Sequence, residues 1–157
     1  MMQYVEDMAR IFEYFGLSRM AARVWALLWV TEAPHLSAFD LAEELDASAG
    51  SVSAATRQLL DLGVIDRVRV RGERRAYFRA STNALGRLLL RRTAGTREMV
   101  RLAERGLVEF GDIPETRARL EDMRHFYIWF LHEMEDLAER WQKESDARAA
   151  EVKENKT

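Results

Sequence analysis

Between Ser48 and Gln58 the chain carries Gly50, Ser51, Ser53, Ala54 and Arg57, with no Glu or Lys among them. Wound as a helix, Val52, Ala55, Leu59 and Leu62 share one face, while Gly50, Ser51, Ser53, Ala54, Arg57 and Gln58 take the opposite and flanking faces. Small side chains let a helix approach the floor of a DNA major groove, where hydroxyls and a forked cation can meet base edges or phosphates. The plainer reading of the same residues is a solvent-exposed helix that happens to be rich in Ser. A second cluster follows at once: Arg67, Arg69, Arg71, Arg74, Arg75 and Arg79, against only Asp66 and Glu73. Arginines at the tip of a hairpin suit phosphates or an adjacent minor groove. That makes Arg74 and Arg75 the first candidates and Arg71 the next, while Arg67, Arg69 and Arg79 sit where they can pair with Asp66 or Glu73 instead.

Other chemistry is poorly supplied. His125 and His132 are seven apart on one helix face, with Glu121 and Asp136 a turn outside each, but one face offers few metal ligands without a second chain. A solvated pair is expected, and neither a metal nor any other cofactor. With no Cys, disulfides, thiolate zinc sites and iron–sulfur clusters are excluded. No G-x-S-x-G elbow, phosphate-binding G-x-x-x-x-G-K-[ST] loop or H-E-x-x-H occurs, and Glu43 and Glu44 point to different sides of a helix. No catalytic site is expected.

The elements that would position the two clusters can be read from periodicity and caps. Tyr4, Val5, Met8, Ile11, Phe12 and Phe15 recur at helical spacing and Gly16 ends that helix. Ser18 caps the next, which carries Met20, Val24, Leu27, Leu28 and Trp29 and stops near Ala33-Pro34. Ser37 to Asp40 has capping-box spacing, with Asp in place of the usual Glu or Gln, and opens a short helix burying Ala38, Leu41, Ala42 and Leu45. A turn at Asp46-Ala47 leads to Ser48, the cap of the Ser-rich helix, which Gly63 terminates. Two helices with a short turn between them form a helix-turn-helix. From Val64 to Val70 apolar residues alternate with Arg, Arg71 to Arg74 turn, and Ala76 to Ala80 return, so a hairpin forms a wing behind it. Ser37, at the entry to the first helix of the motif, joins the candidate DNA contacts, which are Ser37, Ser48, Ser51, Ser53, Ala54, Arg57, Gln58, Arg71, Arg74 and Arg75.

Beyond the wing, Leu85, Leu88, Leu89, Met99, Leu102, Ala103 and Leu107 mark a long helix from Thr82 to about Phe110, interrupted by Gly86, Gly95 and Gly106. Asp112-Ile-Pro-Glu115 restarts a helix. On it Leu120, Met123, Tyr127, Phe130, Met134, Leu137 and Trp141 follow 3-4 spacing, the seam of a coiled coil. Beyond Trp141 the chain is polar and should fray. A face bearing Tyr127, Phe130 and Trp141 cannot be buried by one helix alone, so a homodimer is expected through this seam and through Tyr4 and Met8, with packing on the 82–110 helix sharing the load. Phe12, Phe15, Trp25, Trp29, Phe126 and Trp129 could line an apolar cavity, with Arg19 beside it, though aromatics at this spacing are also ordinary core.

The segments YVEDMARIFEYFGLSRMAARVWALL, LAEELDASAGSVSAATRQLLDLGVIDRV and GERRAYFR resemble the GbsR-like branch of the MarR family of transcriptional regulators. The resemblance covers roughly residues 3 to 110 and is most specific at Ser48-x-Gly50-Ser51-Val52-Ser53-x-x-x-Arg57 and Gly72-Glu73-Arg74-Arg75. It implies a homodimer, joined through its terminal helices, whose recognition helices enter successive major grooves with wings flanking. It further implies a ligand bound between the DNA-binding and dimerisation parts that lowers DNA affinity, and target genes of the exporter or osmolyte-uptake kind.

Composition is compatible with that picture without requiring it. At 157 residues, 48% hydrophobic and 32% charged, the chain suits a folded domain with an extended helical element. The net charge of −2 speaks against a nucleic-acid binder, but the positive charge is local: residues 133 to 157 hold eight acids against five bases, away from the arginine cluster. Glu6 and Asp7 stand where a secretory signal would be basic, and Val24 to Val30 is the longest apolar run, so a cytoplasmic protein with no membrane partner is expected.

The expected fold is mainly α with a small β-hairpin. It comprises a winged helix-turn-helix over 18–81, a helical dimerisation region made of 1–17 and 82–150, and a frayed polar tail at 151–157. The expected partners are double-stranded DNA, a second copy and a small hydrophobic effector. The rival readings are a winged helix kept for protein–protein assembly, and a ligand carrier or enzyme subunit built on the helical part.

Overall fold

Serine hydroxyls and left-handed backbone turns set most of the helix boundaries in the N-terminal half, and through them the placement of the arginines and the Ser-rich helix. The computed structural model describes residues 1–154, apart from the side chains at 89–92, 94, 149 and 152–154. Leu89 and the last three residues of the expected tail therefore lie outside what is described.

Helix α1 (Met2–Tyr14) ends where Gly16, at φ +82°, donates its N–H to the Glu13 carbonyl at 2.8 Å. The Ser18 hydroxyl then accepts the Ala21 N–H and opens α2 (Arg19–Val30). β1 (Leu36–Ser37) runs directly into α3 (Ala38–Glu44), and there the expected capping box closes in both directions: Ser37 N–H donates to Asp40 Oδ2 at 2.8 Å and Asp40 N–H to Ser37 Oγ at 3.1 Å. The shorter Asp serves where Glu is usual. Asp46, at φ +47°, lets the Ala47 N–H reach the Ala42 carbonyl, so α3 ends in a 6→1 Schellman closure without glycine. Ser48 caps α4 (Ala49–Leu62), and Gly63, at φ +69°, closes it.

β2 (Ile65–Val68) and β3 (Tyr77–Ala80) pair antiparallel with Asp66 opposite Arg79. β1 adds to the free edge of β3, with Leu36 opposite Phe78 and Ser37 opposite Tyr77, so the sheet has three strands in the order β1-β3-β2. The expected hairpin is present as β2 and β3, and β1 is a third strand that the sequence pattern does not anticipate. Two paired residues carry no alternation to read, and β1 exists because the segment entering α3 finds a partner on β3.

The contacts divide the chain into two units, 1–84 and 85–157. In the first, Val5, Val24, Trp25, Leu27, Leu41, Leu45, Val52, Leu59 and Val64 are all essentially inaccessible, drawing α1 to α4 and the sheet around one core. Each such side chain contributes about 1.5–3 kcal/mol by leaving water. Within the single chain α1 belongs to this unit, through Val5, Ala9 and Phe12, whereas the expected grouping of 1–17 with 82–150 concerns dimerisation.

The second unit consists of α5 (Ala84–Phe110) and α6 (Pro114–Glu154), with Pro at the first position of α6 and Glu115 in its first turn. A Cβ on Gly106 would sit 3.1 Å from the Leu120 side chain, so that glycine marks close approach of the two helices, while Gly95 faces open space. Arg97 pairs with Glu135 across the same two helices. The tail expectation is also corrected: α6 runs through Glu154. Its sequence after Pro114 contains neither Gly nor Pro, and pairs one turn apart, Gln142 with Asp146 and Arg148 with Glu144, support the polar stretch.

Candidate nucleic-acid interface

Helix α4 buries Val52, Ala55, Thr56 and Leu59 and exposes Ala49, Gly50, Ser53, Ala54, Arg57 and Asp61. The exposed strip has no bulky side chain before Arg57, whose Nε reaches back 3.4 Å to the Ser53 carbonyl along the helix. The exposed guanidinium is thus drawn back along the small-residue strip. Ser48 is exposed, and its hydroxyl accepts the Ser51 N–H at 3.2 Å, leaving the O–H itself to donate elsewhere. Gln58 is half-buried at the edge of the strip, where its Oε1 accepts the Ser18 hydroxyl proton at 2.6 Å. One end of that amide is therefore committed to the start of α2.

Ser37 requires correction. It is 1% exposed, with its hydroxyl accepting the Asp40 N–H, so it caps α3 from beneath the surface and offers no side chain to DNA. Spacing alone could not separate an exposed cap from a buried one, because the strand pairing that covers Ser37 was not read from the sequence.

The wing turns at Val70–Glu73. Glu73 N–H donates to the Val70 carbonyl at 3.1 Å, and Gly72 takes φ +87° at the third position, the geometry of a type II turn. Any other residue at position 72 would be strained, which ties the Gly-Glu-Arg-Arg motif to the shape of the tip. Residues 71 to 75 are all exposed. A groove of about 500 Å³ runs along the wing with Arg67, Arg69, Arg74 and Arg75 on its walls and Glu73 as the one carboxylate. Arg79 behaves differently: its Nε lies 3.5 Å from Asp66, which also accepts the Ser81 hydroxyl proton at 2.9 Å, so this cation has a carboxylate partner at the root of the sheet. Phe39 belongs to neither cluster that spacing singles out. It is 61% exposed on α3, with the Arg75 guanidinium carbon over its ring, 5.5 Å from the centroid. A large apolar residue off the Leu41–Leu45 face was the available signal.

The residues proposed for a ligand fall in two groups. In the first unit Phe12 stacks on Trp25 at 4.1 Å, and Trp29 meets Trp25 edge-on at 6.1 Å. Trp25 and Phe12 are core, and Trp29 and Phe15 are partly exposed. The buried Trp25 Nε1 has no hydrogen-bond partner among the described residues. Arg19 lines a separate polar groove of about 480 Å³ with Gln3, Glu6, Arg10 and Glu13, and Arg23 is bound to Glu6 at 2.6 Å. In the second unit Phe126, half exposed, stacks on Phe130 and lies near Tyr127 and Trp129 along α6.

Of the seam residues, Leu120, Met123, Tyr127, Phe130, Met134 and Trp141 are half-buried and Leu137 is exposed, while Ala138 is the most buried of the described residues of α6. The seam therefore flanks the internally packed line, and its outer side stays open next to Phe126 and Trp129. On α1 Tyr4 is exposed and Met8 half-buried. Among the described residues no helix is long and apolar enough to cross a membrane.

Comparison with known proteins gives consistent results. A family model described as MarR family matches residues 15–76, and one described as MmpR5-like MarR family transcriptional regulator matches residues 83–144. The HTH-type transcriptional regulator MmpR5 of Mycobacterium tuberculosis is 36% identical over 141 residues, 89% of this chain and 86% of that protein. A crystal structure of a transcriptional regulator superposes with a TM-score of 0.73 at 35% identity, covering 90% of this chain and 97% of that one.

Proposed function

The chain belongs to the MarR family of transcriptional regulators and is a DNA-binding regulator, and on that premise we propose that it represses transcription as a homodimer bound to an inverted-repeat operator. Each copy sets the exposed strip of α4 in a major groove, with Ser48, Ser51, Ser53, Ala54, Arg57 and Gln58 as the contacting residues. Arg71, Arg74 and Arg75 take the flanking backbone or minor groove. The observation that carries this reading is the side-chain-poor face of α4 beside an arginine-walled wing in one rigidly capped unit. Glu and Lys, which keep an ordinary surface helix solvated, are missing from that strip.

The second copy is expected to cover the open side of the α6 seam together with Tyr4 and Met8 of α1. Half-exposed Phe126, Trp129 and Leu137 support this, because aromatic area on a single helix gains most when a mate removes it from water. A small lipophilic or aromatic effector that lowers DNA affinity is the further part of the proposal. It is supported by the Phe12, Trp25 and Trp29 cluster and by the unsatisfied Trp25 N–H, a donor that a ligand carrying an acceptor would satisfy. Such a protein works in the cytoplasm and is a regulator rather than an enzyme. The GbsR-like placement is proposed on the Ser48–Arg57 and Gly72–Arg75 motifs alone, since the description matched over 83–144 is MmpR5-like.

Titration of labelled duplexes of defined and mixed sequence at several salt concentrations, with sedimentation analysis of the free protein, tests the reading. A dimer whose affinity falls steeply with salt yet keeps a sequence preference is expected. A monomer, or binding with no preference for any sequence, would instead leave a winged helix retained for protein–protein assembly.

A further inference from the structure

The short strand β1 has a consequence for the wing. It pairs with the start of β3, Leu36 opposite Phe78 and Ser37 opposite Tyr77, so Phe39 in the first turn of α3 and Arg75, two residues before β3, both lie just past the Ser37–Tyr77 end of the ladder. Their side chains meet there, with the guanidinium carbon of Arg75 over the Phe39 ring at 5.5 Å. His35 packs edge-on against Tyr77 at 4.8 Å on the same two segments, so the wing's return strand is laced to the entry of α3 at several successive points. Phe39 is 61% exposed and contributes little to the core, so burial does not explain a large apolar residue there.

We infer that Phe39 is a positioning residue for DNA binding: its ring holds the Arg75 guanidinium in place on the wing, ready for a phosphate oxygen. The inference rests on the proposed role of the wing arginines in DNA contact. An aromatic face attracts the cation through its π cloud, while the five guanidinium N–H donors lie in the cation's own plane. A ring can therefore restrain the group without using up the donors that a phosphate needs. A free Arg loses substantial rotamer entropy when it docks, and a side chain already held in place loses less on binding. Among the described residues Arg75 has no carboxylate partner, unlike Arg79 with Asp66, so the restraint does not neutralise it. Phe39 is thus expected to act on affinity only through Arg75.

The experiment measures affinity for a fluorescent 30-base-pair mixed-sequence duplex at two salt concentrations, using the full chain and the variants Phe39→Leu, Phe39→Trp, Arg75→Ala and Phe39→Leu/Arg75→Ala. Thermal melts confirm folding, which an exposed site should leave intact. Arg75→Ala should weaken binding and lower the salt slope by about one unit. Phe39→Leu should weaken binding about two- to fivefold with the slope unchanged. Phe39→Trp should bind at least as tightly as the parent, and Phe39→Leu should add nothing once Arg75 is gone. If Arg75→Ala weakens binding while Phe39→Leu is neutral or tightens it, the positioning role is overturned and the wing contact stands. Equal loss for Leu and Trp, or an undiminished Phe39→Leu effect without Arg75, overturns it as well. If Arg75→Ala itself has no effect, the wing contact falls and the inference falls with it.

Discussion

Replacing Arg71, Arg74 and Arg75 together with Ala probes the electrostatic half of DNA binding without disturbing the fold. All three are exposed, and the Val70–Glu73 turn is held by a backbone hydrogen bond and the positive φ of Gly72 rather than by any of them. Surface changes of this kind shift stability by no more than about 0.5 kcal/mol each. If each guanidinium meets one phosphate, the slope of log affinity against log salt falls by about 0.9 per contact, or about 2.7 units for the triple variant. Between 50 and 200 mM salt the parent should then lose about 40-fold more affinity than the variant. Arg79→Ala is the matched control. It removes the same charge from the same hairpin, but its guanidinium is already paired with Asp66, so the slope should change by much less than one unit. Fluorescence anisotropy on one duplex across that salt range measures all of these. An unchanged slope in the triple variant, or a loss in Arg79→Ala as large as the per-residue loss at the tip, would refute the assignment of the wing arginines to phosphates.

Arg57→Ala, which strips the strip of α4 of its one cation, should cost about 1–3 kcal/mol on the preferred sequence and much less on mixed-sequence DNA. Equal losses on both would make Arg57 a backbone contact. Ser37→Ala removes the hydroxyl that accepts the Asp40 N–H and should lower stability by about 1 kcal/mol in a denaturant melt, with DNA affinity at saturating folded protein unchanged. Direct loss of DNA contact by that folded variant would restore Ser37 to the interface. Gly63→Ala forces a Cβ into φ +69° at the close of α4 and should destabilise the protein by roughly 1–2 kcal/mol, visible as a lower denaturation midpoint at constant m.

Most of the helix-turn-helix was readable because local chemistry decides it. Ser18, Ser37 and Ser48 each accept a backbone N–H where the sequence placed a cap, and Gly16 and Gly63 adopt the left-handed turns that end α1 and α4. The alternation of exposure along 66–71 follows the Arg spacing for the same reason. What failed to show depends on non-local pairing. β1 is two residues long and forms on the edge that β3 offers; Ser37 within it is buried, and Phe39 just past it meets Arg75. The spacing of Gly86, Gly95 and Gly106 could not reveal that Gly106 alone of the last two lies against a facing helix, since the distance to Leu120 is set by tertiary packing. On α6 the 3-4 spacing marks residues that are half-buried or exposed, whereas the buried Ala138 lies beside that stripe, and spacing alone does not say which side of a helix packs within its own chain. The candidate DNA face was legible from residue types, and the order of importance among its arginines was not, because Asp66 claims Arg79 only once the strand register is known.

Selection of bound duplexes from a random library tests the central claim most directly. Two copies offering α4 and the wing to one face of B-form DNA should enrich an inverted repeat whose half-sites are centred about one helical turn apart, roughly 10 base pairs. Enrichment of a single unpaired half-site, of direct repeats, or of no sequence at all would contradict it.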